Sequence, residues 1–257
     1  MTYKLVFFDV DGTITSEKDG SIPPTTKVAI RRLMEKGIHV VAATGRPLSM
    51  CEELREIGIE TFITANGGYA KHQQTVIHKI PFNKERLIDV MNFAEKMKHG
   101  LTFYTESLYM NGVKEEAILT ALNETLSLAD YPSTQPAILE EEVYLLCLFA
   151  NDRVVDIYRQ TFPYLIFKRW RPYILNVVEK EVSKYVAIKE VLAYFNVYPH
   201  ETIAFGDGDN DIDMVKHVGL GIAMGNGSQG VKTAADYVTS RASEGGIYEA
   251  LKKFNIL

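Results

Sequence analysis

The amino-acid sequence predicts an α/β protein whose doubly wound, mainly parallel sheet is interrupted by an inserted α+β domain. Three observations predict it. Short apolar runs alternate with amphipathic helical patterns at both ends of the chain, as βαβ units require. Between Phe82 and Val182 the pattern changes to paired strands with fewer helices. Acidic or hydroxyl residues follow several apolar runs at once, at the strand ends where open α/β sheets hold ligands. The implied core is Rossmann-like.

The elements follow in order. Leu5–Phe8 is apolar at every position, which suits a strand buried on both faces. A helix is expected from about Thr25, with Val28, Ala29, Leu33 and Met34 on one face and Gly37 as its stop. Ile38–Ala43 reads as the next strand, Pro47 as the opening of a second helix, and Thr61–Ala65 as a third strand. Beyond Pro81 the sequence predicts helix (Glu85–Lys98), strands (Leu101–Thr105, Leu108–Asn111), helix (Lys114–Leu128) and strand (Val143–Ala150). A short helix near Val154–Gln160 and strands Tyr164–Trp170 and Tyr173–Val178 follow, with the helices on one side of an antiparallel sheet. Ser183 is the expected N-cap of a helix whose apolar face is Ile188, Val191, Leu192 and Phe195. Strands Thr202–Phe205, Leu220–Ala223 and Tyr237–Thr239 complete the pattern. The expected division is a discontinuous core of residues 1–81 and 183–257 with an insertion of residues 82–182.

Bulk properties narrow the function. The 257 residues are 46% apolar and 24% charged, ordinary for a globular protein. A net charge of -5 leaves no footprint for nucleic acid. No apolar run approaches the roughly 20 residues of a membrane helix, and no cleavable signal is evident, so a cytoplasmic location is expected. The two cysteines, Cys51 and Cys147, offer neither a disulfide framework nor a thiolate metal site. The six histidines are scattered, which argues against zinc.

Chemistry concentrates at four strand-to-helix exits. Asp9-Val10-Asp11-Gly12-Thr13 leaves the first strand, and Thr44-Gly45-Arg46 leaves the second with a hydroxyl and backbone N–H groups suited to an anion. Lys184 brings a cation to the helix after the insertion. Gly206-Asp207-Gly208-Asp209-Asn210-Asp211 leaves a later strand with a second acidic cluster. Each alone reads as an ordinary turn or cap. Together, two clusters of carboxylates brought close would repel, and a divalent cation is the natural neutraliser. Hard oxygen ligands favour magnesium.

Two other signals point elsewhere and are outweighed. Gly225-Asn226-Gly227-Ser228-Gln229-Gly230 matches a dinucleotide-binding fingerprint but begins too late for a nucleotide-binding half-domain to follow it. Asp207, Asp209 and Asp211 mimic the start of a calcium loop, but Ile212 and Val218 occupy its glycine and glutamate positions.

The four segments resemble, in order and spacing, the motifs of the haloacid dehalogenase-like hydrolases, and more narrowly the Cof-type sugar-phosphate phosphatases, whose cap is inserted between the second and third motifs. Asn66-Gly67-Gly68 resembles the Asn-Gly-Ala of that branch. Tyr185 departs from the glycine common after the motif lysine. The resemblance implies a phosphatase acting on small phosphorylated metabolites, sugar phosphates foremost, with nucleotides and phosphorylated vitamins such as pyridoxal phosphate left open. It implies Asp9 as nucleophile, forming an aspartyl-phosphate, and Asp11 as acid and then base. Mg2+ would be held by the Asp9 carboxylate, the Asp11 carbonyl and the Asp207 carboxylate. Thr44, Lys184, Asn210 and backbone N–H groups near Val10 and Gly45 would hold the phosphoryl oxygens, with Asp211 in an outer, orienting position. The insertion would act as a cap, with Lys168, Arg169 and Trp170 either contacting the leaving group or packing the cap. A signalling receiver, which also uses Asp, Thr and Lys on such a sheet, would be half this length and would hold its phosphoryl group without turnover.

Overall fold

The computed structural model describes residues 3–257. Along the chain the elements run β1 (Leu5–Phe8), α1 (Pro24–Glu35), β2 (His39–Ala43), α2 (Glu52–Glu56), β3 (Thr61–Thr64), β4 (Tyr69–His72) and β5 (Thr75–Lys79). Next come α3 (Lys84–Met97), β6 (Gly100–Tyr104), β7 (Leu108–Met110), α4 (Glu116–Leu126), β8 (Leu145–Phe149), α5 (Asp152–Thr161), β9 (Leu165–Arg171) and β10 (Ile174–Glu179). The last stretch holds α6 (Lys184–Phe195), β11 (Thr202–Gly206), α7 (Ile212–Lys216), β12 (Leu220–Ala223), α8 (Gln229–Ala234), β13 (Tyr237–Val238) and α9 (Gly246–Lys253). They form two compact units, one of residues 3–45, 51–78 and 183–257, the other of Arg46–Met50 and Lys79–Val182.

The first unit is built on a sheet of order β13-β12-β11-β1-β2-β3-β4-β5. Its pairs from β13 through β3 are parallel, and β3 with β4 is antiparallel. Winding proceeds outward from β1 through β2 and β3, and on the other side from β11 through β12 and β13. The switch point therefore lies between β1 and β11, and there the connections diverge and leave a crevice at the carboxyl ends. Phe8 pairs with Phe205 and stacks on it at 5.0 Å, which places Asp9 beside Gly206. The layer on one face buries Ala187, Ile188, Val191 and Leu192 of α6 against Leu5, Phe7, Val41 and Ala204.

The second unit carries an antiparallel sheet of order β7-β6-β8-β10-β9. Alternation puts Leu101, Phe103, Leu146, Leu148, Leu175 and Val177 on one face, where Leu87, Val90 and Ala94 of α3 and Val155 and Tyr158 of α5 cover them. The expectation of helices on one side alone needs correction. Gly100 points to the opposite face, and a Cβ there would sit 2.5 Å from Ile118 Cδ1, so α4 packs on that side.

Other differences have local causes. Val28 is exposed, and α1 instead buries Thr26, Ala29, Ile30 and Leu33, which fall within one arc at 3.6 residues per turn. Pro47 precedes a single 3-10 turn, Leu48–Met50, before α2 begins at Glu52. The β4–β5 segment was not expected because it mixes polar and apolar residues and turns at Gln73 (φ 51°), not at Asn or Gly. Among the described residues no helix is long and apolar enough to cross a membrane.

Candidate active site

The expected catalytic, metal and phosphate-binding residues all belong to the first unit, whereas Lys168, Arg169 and Trp170 belong to the second. β1 delivers Asp9, 6% exposed, whose backbone N–H donates to Phe205 O at 2.9 Å. The following loop is folded tightly on itself. Val10 O accepts from Thr13 N at 3.2 Å and from Thr15 N at 2.9 Å, with Gly12 at φ 85°. The side chain of Asp11 is exposed to solvent.

α6 delivers the cation. The Ser183 side chain caps the helix by accepting from Val186 N at 3.2 Å, so Lys184 occupies its first turn. Its ammonium is buried and donates to Asp9 Oδ1 and, at 2.7 Å, to Asp211 Oδ1. Burial alone would lower the Lys184 pKa, but the charges of Asp211 and Asp9 and their hydrogen bonds outweigh it and raise it above the usual lysine range. The other oxygen of Asp211 accepts from Asp207 N at 3.1 Å and Gly208 N at 2.9 Å. Asp211 is thereby occupied with holding Lys184 and the 207–208 turn.

Tyr185, the departure from the family pattern, is accommodated away from this cluster. Its ring packs on His217 beyond α7 at 4.4 Å, with Lys189 over it.

β11 delivers Asp207. Its Oδ1 accepts from Thr13 Oγ1 at 3.2 Å, and its Oδ2 lies 3.4 Å from Asn226 Nδ2. Carboxylate oxygens of Asp9, Asp207 and Asp211 fall within 4.8 Å of one another. That proximity is costly. Burial first, then repulsion from Asp211, pushes the Asp207 carboxyl up to about 6, and burial with the Asp211 charge lifts Asp9 well above the carboxylate range despite Lys184. Three carboxylates against one lysine leave negative charge unbalanced, and the donor set is all hard oxygen. These residues fit a divalent cation such as magnesium.

The second motif joins through Asn66. Thr44 is buried and its carbonyl accepts from Asn66 N at 3.0 Å. A Cβ on Gly45 would stand 3.2 Å from the Asn66 carboxamide, whose Oδ1 accepts from Asn210 Nδ2 at 3.3 Å. Asn66 itself holds a positive φ of 54°, and Gly67 packs so closely on Ser183 O that no side chain would fit. The turn Asn66–Gly67 therefore links Thr44-Gly45, Asn210 and the start of α6.

Sequence reasoning assigned no function to Thr13, Asn66 or Asn226. The missed signal for Asn226 was its position in the turn that leaves an apolar strand, three residues past the end of β12. In the second unit Arg169 donates to Ala150 O at 3.2 Å and Pro172 O at 2.8 Å and pairs with Asp152 at 2.7 Å.

Comparison with known proteins places the family and the fold. The family model described as haloacid dehalogenase-like hydrolase matches residues 6–251. A protein of Bacillus subtilis (strain 168), provisionally named phosphatase YkrA, is 34% identical over all of both chains. A solved structure from Geobacillus kaustophilus HTA426 superposes with a TM-score of 0.92 at 32% identity, covering 99% of this chain and 100% of that one. The subclass IIB sugar phosphatase BT4131 superposes with a TM-score of 0.85 at 32% identity and the same coverage.

Proposed function

This chain belongs to the haloacid dehalogenase-like hydrolases and is a phosphatase; from that premise we propose a Mg2+-dependent hydrolysis of small sugar phosphates through an aspartyl-phosphate on Asp9. The observation that carries the reading is Lys184, buried between Asp9 and Asp211 with Asp207 beside them at the switch point of the sheet.

Phosphate monoesters resist hydrolysis because charge must be neutralised and the nucleophile held in line. In this reading an Asp9 oxygen attacks phosphorus while the bond from phosphorus to the leaving oxygen breaks. Asp11, exposed and three residues beyond the end of β1, gives that oxygen its proton. Asp11 then takes a proton from water as the water oxygen attacks the phosphoryl group, releasing phosphate and freeing Asp9. Lys184 steadies the Asp9 carboxylate and, with Thr44, Asn210 and the N–H groups near Val10 and Gly45, neutralises the phosphoryl oxygens. The Asp9 carboxylate, the Asp11 carbonyl and the Asp207 carboxylate would hold Mg2+, which supplies further charge neutralisation. Residues 82–182, as the cap, would set leaving-group preference on the core of residues 1–81 and 183–257. Sugar phosphates come first because a 32% identical neighbour is a sugar phosphatase.

The test is phosphate release from a panel of sugar phosphates, nucleotides and phosphorylated cofactors. Turnover of sugar phosphates with Mg2+, abolished by chelation, is expected. No release from any monoester, or release undiminished by chelation, refutes the proposal.

A further inference from the structure

The glycine-rich turn after β12 is outside the four phosphatase motifs, yet it is tied to the acidic cluster. Asn226 Nδ2 donates to Gly12 O at 2.8 Å and approaches Asp207 Oδ2 at 3.4 Å, while its Oδ1 accepts from Ala242 N at 3.0 Å. One carboxamide thus spans the loop after β1, the loop after β11 and the turn before α9. The fit is close. A Cβ on Gly12 would stand 2.5 Å from Asp207 Oδ2 and 3.2 Å from Asn226 Nδ2, and Ser228 N donates to Asp207 O at 2.8 Å. Thr13 Oγ1 approaches the other oxygen of Asp207. Each oxygen of this carboxylate therefore faces one neutral donor. Neutral donors orient an anion without cancelling the charge a cation needs, which is how outer partners tune metal ligands.

We propose that Asn226 is a positioning residue for the cation. It fixes the rotation of the Asp207 carboxylate and its separation from the Asp9 loop, and so sets divalent-metal affinity. This rests on the reading that Asp9 and Asp207 hold Mg2+. The competing view is that Asn226 only braces loops, as Glu17 does. Glu17 binds the same turn, accepting from Arg241 Nε at 2.9 Å and Ser243 Oγ at 2.8 Å, and no hydrogen bond joins it to Asp207.

The experiment measures Mg2+ binding to metal-stripped protein by titration calorimetry, together with melting temperature in chelator, for wild type, Asn226→Ala and Glu17→Gln. Asn226→Ala is expected to raise the Mg2+ Kd about 10- to 100-fold, with most of kcat restored at saturating Mg2+. Glu17→Gln is expected to lower the melting temperature and leave the Mg2+ Kd unchanged. Asn226→Ala with wild-type Mg2+ affinity overturns the proposal, as does an equal loss of affinity in Glu17→Gln. If alanine prevents folding, Asn226→Ser is read on the same scale. Wild-type protein that binds no Mg2+ refutes the functional reading itself, a result distinct from a variant that binds as well as wild type.

Discussion

A lysine in the first turn of a helix opposes the helix dipole, and a buried ammonium loses its water. Lys184 tolerates both because Asp9 and Asp211 accept from it. Asp9 is in turn left more basic than an ordinary carboxylate by burial and by Asp211. A nucleophile of that kind should be irreplaceable by its amide. Asp9→Asn is expected to lower kcat by roughly 10^4-fold or more, as loss of a covalent nucleophile does elsewhere, while circular dichroism and melting stay close to wild type. A variant retaining a tenth of the activity would move the nucleophile elsewhere. At this scale the sequence was informative where charge follows an apolar strand, as at Asp9 and Asp207, or opens a capped helix, as at Lys184. It assigned no role to Asn66 or Asn226, whose partners Asn210, Gly12 and Ala242 lie far off in the chain and are joined to them only by folding.

Among the elements, strands and helices with clean periodicity were legible, α6 with its Ser183 cap best of all. The β4–β5 pair, the short helices α7 and α8 and the second face of the antiparallel sheet were not. Their limits are set by neighbours rather than by local pattern, as with α4 over Gly100. Between elements, the segment after β1 is pinned to the turn before α9 by Glu17. Burial raises the carboxyl, but hydrogen bonds from Arg241 and Ser243 prevail and lower it to about 2. Because the folded pKa lies below the ordinary 4.5, the stabilisation is present above that value and is lost as pH falls towards 2. Glu17→Gln is therefore expected to cost about 1 kcal/mol at pH 7, discounted for partial exposure. Urea titrations of wild type and variant should converge near pH 2; a constant gap across pH would contradict the assignment.

For the whole molecule, the proposed cation among the unbalanced carboxylates should add to stability. Binding to the native state alone adds about 2.7 kcal/mol at a hundredfold excess over Kd. For a chain of this size that is a rise of roughly 5–10 °C in melting temperature. Asp207, pushed up to about 6, would bind a proton in competition with that cation. The folded pKa exceeds the unfolded value, so protonation stabilises the metal-free protein below about 6 and the metal replaces it above. The Mg2+-induced rise should thus be larger at pH 7.5 than at pH 5, by differential scanning fluorimetry. Equal rises at both pH values would place the cation away from Asp207.

The placement of β1 at the middle of its sheet also bears on biosynthesis. Leu5–Phe8 is hydrogen-bonded on one side to β2 and on the other to β11, whose residues emerge from the ribosome only after the whole second unit has been made. Until then one edge of an entirely apolar strand is open to any passing chain, a recognised route to aggregation. A nascent polypeptide stalled before Thr202 would carry that sticky edge with no native partner, so premature termination should yield insoluble fragments rather than a half-sized working domain.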